Sequence, residues 1–269
     1  MEALYSYGFL QRAFIAGLFV AVACALLGVF LILRRDAMIG HGLAHVTFAG
    51  VALGLLLKIM PLAVALVVAV LTSLVIMKLK ERAGLYGDTA IAIFSSTGFA
   101  LGILLVTLAH SFNVDLFGYL FGEILAIEAA EVWLSVALAA AVVLTVIVYY
   151  SRFMYMTFDR ESAKVAGIKV GRLDVLLSTL TAVTVVLGMK IVGLLLVAAL
   201  VVIPAAAGLQ LASSFKQAMV ISSLAAVVSV VFGLMLAFYI DLPASGSIVV
   251  LSFIIFGLSF VFRKERKLL

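Results

Sequence analysis

Charge is scarce in this chain: 18 Lys and Arg and 13 Asp and Glu among 269 residues, 12% in all. Soluble domains carry about a quarter, so a water-facing surface of ordinary size is excluded. The net charge of +5 is spread over several connections and gives no nucleic-acid-binding stripe; no nucleic-acid partner is expected. Cysteine occurs once, at Cys24, which excludes an intrachain disulfide. Only three prolines are present, which leaves long helices uninterrupted. No G-x-x-x-x-G-K-[ST] loop or other phosphate cradle occurs, so the chain has no nucleotide site of its own. No nucleophile–base–carboxylate constellation stands out, and catalysis is not expected. No internal repeat is evident, which argues against the usual inverted-repeat carriers. The start, Met1-Glu2-Ala3, lacks a basic n-region, and the first apolar run is too long for a signal peptide. That segment is expected to stay.

What is abundant is apolar length. Hydrophobic residues make up 67%, and mean hydropathy is +1.37. The apolar runs are about 20 residues long, the length that spans a bilayer as a helix. Spans are expected at 8–33, 39–57, 62–79, 89–110, 129–150, 173–189, 191–211, 218–240 and 245–262. The fold class is therefore all-α, a polytopic membrane helical bundle of about nine transmembrane helices, with eight to ten allowed. Residues 1–269 form a single domain in this reading. Basic residues cluster in alternate connections, from Arg34 and Arg35 to Arg263 and Lys264. Since positive charge marks the cytoplasmic side, the N-terminus lies outside and the C-terminus inside.

Against this background His41 and His45 stand out. At i,i+4 on a helix both imidazoles share one face. An ionisable pair inside hydrocarbon is costly and by default marks a site, and imidazole is the commonest zinc ligand. Met38 and Thr47 are further candidates for the same face. Between the fifth and sixth spans lies a charged stretch, about 152–170. There Phe158, Asp159, Glu161, Ala163, Ala166 and Gly167 outline a short helix, capped near Asp159 and stopped at Gly167. Two readings stand: an ordinary positive-inside loop, or a coupling helix whose small residues Ala163, Ala166 and Gly167 admit a partner closely. The apolar piece 116–125 is too short to cross and reads as interfacial or re-entrant. Asn113 and Asp115 before it stand at a candidate ion entrance, or cap that piece. His110 reads as interfacial, and Glu123, Glu128 and Glu131 as a solvated acidic rim. Asp88 and Asp174 read as helix-start charges. Pro204, inside an apolar run, is expected to free the Leu200 carbonyl and kink its helix, either for gating or to shape the bundle. Gly50/Gly54, Gly98/Gly102 and Gly118/Gly122 permit close helix contacts.

The segments 38–54 (MIGHGLAHVTFAGVALG), 116–125 (LFGYLFGEIL), 161–168 (ESAKVAGI), 192–207 (VGLLLVAALVVIPAAA) and 242–250 (LPASGSIVV) closely resemble, in order, those of the ABC-importer permeases for zinc, manganese and iron. The resemblance covers about 14–262. It implies a homodimer in the prokaryotic cytoplasmic membrane with two copies of a separate cytoplasmic ATP-binding subunit, surrounded by lipid. It also implies an extracytoplasmic metal-binding protein that delivers the ion, and a fold related to the larger vitamin and siderophore permeases. No cofactor is held permanently; the metal is cargo. The family signature usually reads Asp-x-x-x-His and is thought to meet the metal. Here His41 stands at the Asp position and His45 at the His. Two imidazoles lean toward zinc over manganese, so zinc is the expected cargo. The alternatives are an ion-coupled secondary metal carrier and a vitamin or siderophore permease.

Overall fold

The computed structural model describes residues 8–82, 87–108, 122, 129–194 and 197–262. Among them every regular element is a helix. In chain order these are α1 Gly8–Leu33, α2 Ile39–Leu57, α3 Pro61–Arg82, α4 Gly87–Leu108, α5 Ala129–Val148, α6 Tyr150–Phe158, α7 Arg160–Val165, α8 Val170–Val192, α9 Val197–Leu211, α10 Phe215–Ile240 and α11 Ala244–Val261. Helices dominate because a chain in lipid must satisfy its own backbone polar groups. The apolar runs end where a residue can leave the α region. Lys58 (φ 55°) closes α2, and Asp241 (φ 55°) closes α10.

Among the described residues seven helices are long and apolar enough to cross a membrane, and the pair α5 and α6, bent by 67° at Tyr149, makes an eighth if it is one span. The expected run 191–211 differs most. Ile191 and Val192 finish α8, Gly193 turns the chain at φ 85°, and α9 begins only at Val197. Its 15 residues cover roughly 22 Å, less than the ~30 Å hydrocarbon core. Pro204 lies buried within α9, which continues past it to Leu211.

The centre of the bundle is α1, enclosed by α5, α8, α9 and α10. Helix α2 packs parallel to α4, and glycines set their separation. A Cβ on Gly42 would stand 2.5 Å from Ile91 Cγ2, and one on Gly98 would stand 2.8 Å from the Cα of Val46. On the other side, Gly50 and Gly54 seat α2 against Ala65 and Pro61 of α3. The small-residue pairs 50/54 and 98/102 therefore close contacts within the chain. By contrast α3, α4 and α11 expose most of their surface, chiefly apolar side chains such as Leu71, Leu104 and Phe253.

Candidate functional site

Helix α2 starts at Ile39, so its two histidines lie in the first two turns, about 3 and 9 Å along the axis. His41 is exposed and His45 half-buried. Their Nε2 atoms are 3.2 Å apart, and the rings meet edge to face with centroids 4.6 Å apart. The edge of the Phe99 ring system closes on His45 from α4, centroids 5.0 Å apart. The glycine-spaced α2–α4 contact brings these two rings together. Nδ1 of His45 is buried and has no hydrogen-bond partner among the described residues. Two imidazole nitrogens bound to one tetrahedral zinc at 2.0–2.1 Å lie about 3.3 Å apart, close to the separation seen here. Among the described residues no cluster of three or more His, Cys, Asp or Glu could hold a metal. The pair thus offers two ligands and leaves the rest of a coordination sphere to other sources. Met38 is exposed one turn before His41. Thr47 is fully buried, its hydroxyl donating to the Leu43 carbonyl at 2.7 Å, which takes it off the histidine face.

At the connection that precedes α2 runs a chain of alternating charges. Arg34 donates through Nη2 to Asp174 Oδ1 at 2.6 Å, and Arg160 Nη2 pairs with the other oxygen of Asp174 at 2.7 Å. Asp36 is paired with Lys80 and lies 4.0 Å from Arg34 Nε. The Asp174 side chain is only 3% exposed. The helix-start reading of Asp174 is therefore corrected: it is a desolvated carboxylate holding two guanidinium groups. A buried charge needs such partners, and no local signal in the sequence links residues 34 and 174, which lie 140 positions apart. These residues line a cavity of about 610 Å³, with Ile39, Ile76 and Thr181 among its apolar and hydroxyl walls. Asp88 is exposed at the start of α4, as a helix-start charge should be.

The stretch 152–170 folds as α6, a one-residue break and α7. Asp159 caps α7, accepting from the Ser162 amide at 2.9 Å and from the Ser162 hydroxyl. Those hydrogen bonds, the hydroxyl's foremost, hold the Asp159 carboxyl below its ordinary value. Gly167 (φ 81°) ends the turn, and Glu161 pairs with Lys164 at 2.7 Å. Ala163 is fully buried against its own chain, whereas Ala166 and Gly167 face outward. Two apolar side chains project beside them: Phe158, largely exposed with its ring edge-on to Phe215, and Val165, 90% exposed. Sequence reading missed Val165, because exposure of a lone valine on a six-residue helix cannot be read from its neighbours. The candidate entrance residues Asn113 and Asp115, with His110, Glu123 and Glu128, lie outside the described residues.

A helical bundle with seven or eight candidate spans among the described residues, one of them carrying an imidazole pair, is a multi-pass membrane protein. The chain belongs to the ABC 3 transport family, whose family description matches residues 6–263, and it is accordingly a multi-pass protein of the bacterial cytoplasmic membrane. It is 30% identical to the manganese transport system membrane protein MntC of Listeria innocua, over 100% of this chain and 96% of that one. It is 32% identical to the manganese import system permease protein ScaB of Streptococcus gordonii, over 100% and 96%. The high-affinity zinc uptake system membrane protein ZnuB of Haemophilus influenzae is 31% identical over 94% and 97%. Among solved structures, PsaBC from Streptococcus pneumoniae in complex with Fab superposes with a TM-score of 0.89 at 31% identity, covering 99% of this chain and 96% of that one. An inward-facing transporter of the metal-chelate ABC type shares the fold alone, with a TM-score of 0.75 at 15% identity, over 94% and 85%.

Proposed function

We propose that this chain is the membrane permease subunit of an ATP-driven importer for a divalent transition metal ion. In this reading it works as a homodimer, with two copies of a cytoplasmic ATPase and an extracytoplasmic metal-binding protein. The observation that carries the reading is the His41–His45 pair, with Nε2 atoms 3.2 Å apart on an exposed face of a membrane helix. The basic end of the bundle, with Arg34, Arg35, Lys80, Arg152 and Arg160, is taken as cytoplasmic. That orientation puts α7 in the cytoplasm and makes α6–α7, residues 158–167, the element that meets the ATPase. Phe158 and Val165 are then its apolar contacts, and Asn113 and Asp115 belong to the opposite, ion-receiving side. The proposed count of nine spans takes α9, 15 residues long, as a crossing. Pro204, which removes one hydrogen bond from α9, is the proposed gating kink.

The ion meets His41 and His45 in passing. His45 Nδ1 has no partner among the described residues, so no hydrogen bond fixes the tautomer that ligates through Nε2. Two imidazoles prefer zinc to manganese. Two of the three relatives described carry manganese in their names and one carries zinc, so cargo is the point most in need of measurement. The test is ATP-dependent uptake of zinc and manganese by the complete complex in liposomes, wild type against His41→Ala/His45→Ala. Loss of uptake with the ATPase still associated supports the pair as part of the path. Unchanged uptake removes the histidines from it. Uptake that needs no ATP and follows a pH gradient would replace the importer with a secondary carrier.

A further inference from the structure

We infer that the ionic chain Lys80–Asp36–Arg34–Asp174–Arg160 is the mechanical link between the ATPase-facing helix α7 and the histidine helix α2. Asp174 is its hub. The inference rests on the proposed function, which makes α7 the docking element, and adds the residues that carry its movement inward. Five charges of alternating sign are drawn from four places in the chain: the end of α3, the α1–α2 connection, α8 and α7. Lys80 and Asp36 are 44 positions apart and Arg34 and Asp174 are 140 apart, so these links are made by the fold.

Each end of the chain is attached to something that matters. At one end, α7 has six residues, too few to be stable alone. Its attachments to the bundle include buried Ala163 and the ion pair from Arg160 to Asp174. At the other end, the Asp36 carbonyl accepts the Ile39 amide at 3.0 Å, so Asp36 stands at the start of the helix that bears His41 five residues on. A displacement of Arg160 is passed to Asp174, then to Arg34, and so to the connection that fixes the start of α2.

The links are graded. Arg34 and Asp174 are 15% and 3% exposed, so their contact is the less solvated and firmer joint. Arg160 is 41% exposed, and its contact is partly solvated and easier to part. The solvated joint lies next to α7, where a movement driven from outside would enter. A merely structural network has no need of this order.

Arg160 is therefore a positioning residue, and the link is tested there because loss of Asp174 itself would threaten folding. The complete complex, reconstituted with its ATPase and binding protein, is compared as wild type, Arg160→Ala and Arg160→Lys. ATP hydrolysis and zinc and manganese uptake are measured on the same vesicles, with copurified ATPase quantified. In Arg160→Ala the ATPase stays bound and hydrolyses ATP, while metal taken up per ATP falls by about tenfold, within the usual range of site-to-site coupling. Arg160→Lys keeps the charge and recovers most of that ratio. Wild-type uptake per ATP in Arg160→Ala overturns the inference. So does detachment of the ATPase, which would make Arg160 part of docking. Failure of the underlying reading is distinct: wild type itself would then show no ATP-dependent metal uptake.

Discussion

Arg34 and Asp174 are 140 positions apart in sequence, yet the guanidinium donates at 2.6 Å to a carboxylate that is only 3% exposed. Removing one partner of such a pair leaves the other charge buried and costs about 3–5 kcal/mol. Asp174→Asn is expected to cost about 3 kcal/mol, since the amide oxygen still accepts a hydrogen bond. The measurement is thermal unfolding in detergent. The double variant Arg34→Met/Asp174→Leu, which removes both charges, should unfold at a higher temperature than Asp174→Asn.

His41→Asp replaces one imidazole with a carboxylate beside His45. A harder oxygen ligand favours manganese, and the added negative charge holds a divalent cation more tightly. The ratio of manganese to zinc uptake in liposomes is expected to rise by about tenfold. An unaltered ratio would show that selectivity is set elsewhere.

Gly98→Ala puts a methyl group against Val46, where the Cβ would stand 2.8 Å from its Cα. The parallel α2–α4 contact must widen, which costs about 1–3 kcal/mol and draws Phe99 away from His45. Lower thermal stability together with reduced metal uptake is the expected result. Gly257→Ala, where a Cβ meets nothing within 4 Å, is the control and should leave both unchanged.

Asp159 gives a pH dependence with a definite sign. Its carboxyl is held below the ordinary value by Ser162, so its capping contribution is present above the unfolded value of about 3.9. It is lost as pH falls from there through the depressed native value. The protection of the Ser162 amide against hydrogen exchange, taken relative to its intrinsic rate at each pH, should fall across that acid range and stay constant between about pH 5 and 8. Asp159→Ala should show low protection at every pH.

The histidine pair was legible because i,i+4 spacing on a helix stacks two rings on one face. The α7 segment was legible because Asp159 and Gly167 are local signals of a start and a stop. The boundary between α8 and α9 was not. Residues 191–211 are continuously apolar, and hydropathy cannot tell a crossing from a turn at Gly193 followed by a shorter helix. Ala163 looked available to a partner because it is small, but the fold turns it inward. Thr47 likewise lies two residues past His45 and is buried off the histidine face.

The sequence by itself determined the all-helical membrane character, the family and the two imidazoles on one face. Each follows from composition or from spacing within a few residues, and local chain geometry carries such information directly. Tertiary structure alone decided that Asp174 is buried with Arg34 and Arg160, that α4 stands close enough to α2 to bring Phe99 onto His45, and that Val165 projects from α7. Those depend on which helices become neighbours. In a bundle whose spans are all apolar, that choice rests on the shape of small-residue contacts and on pairing a few buried charges.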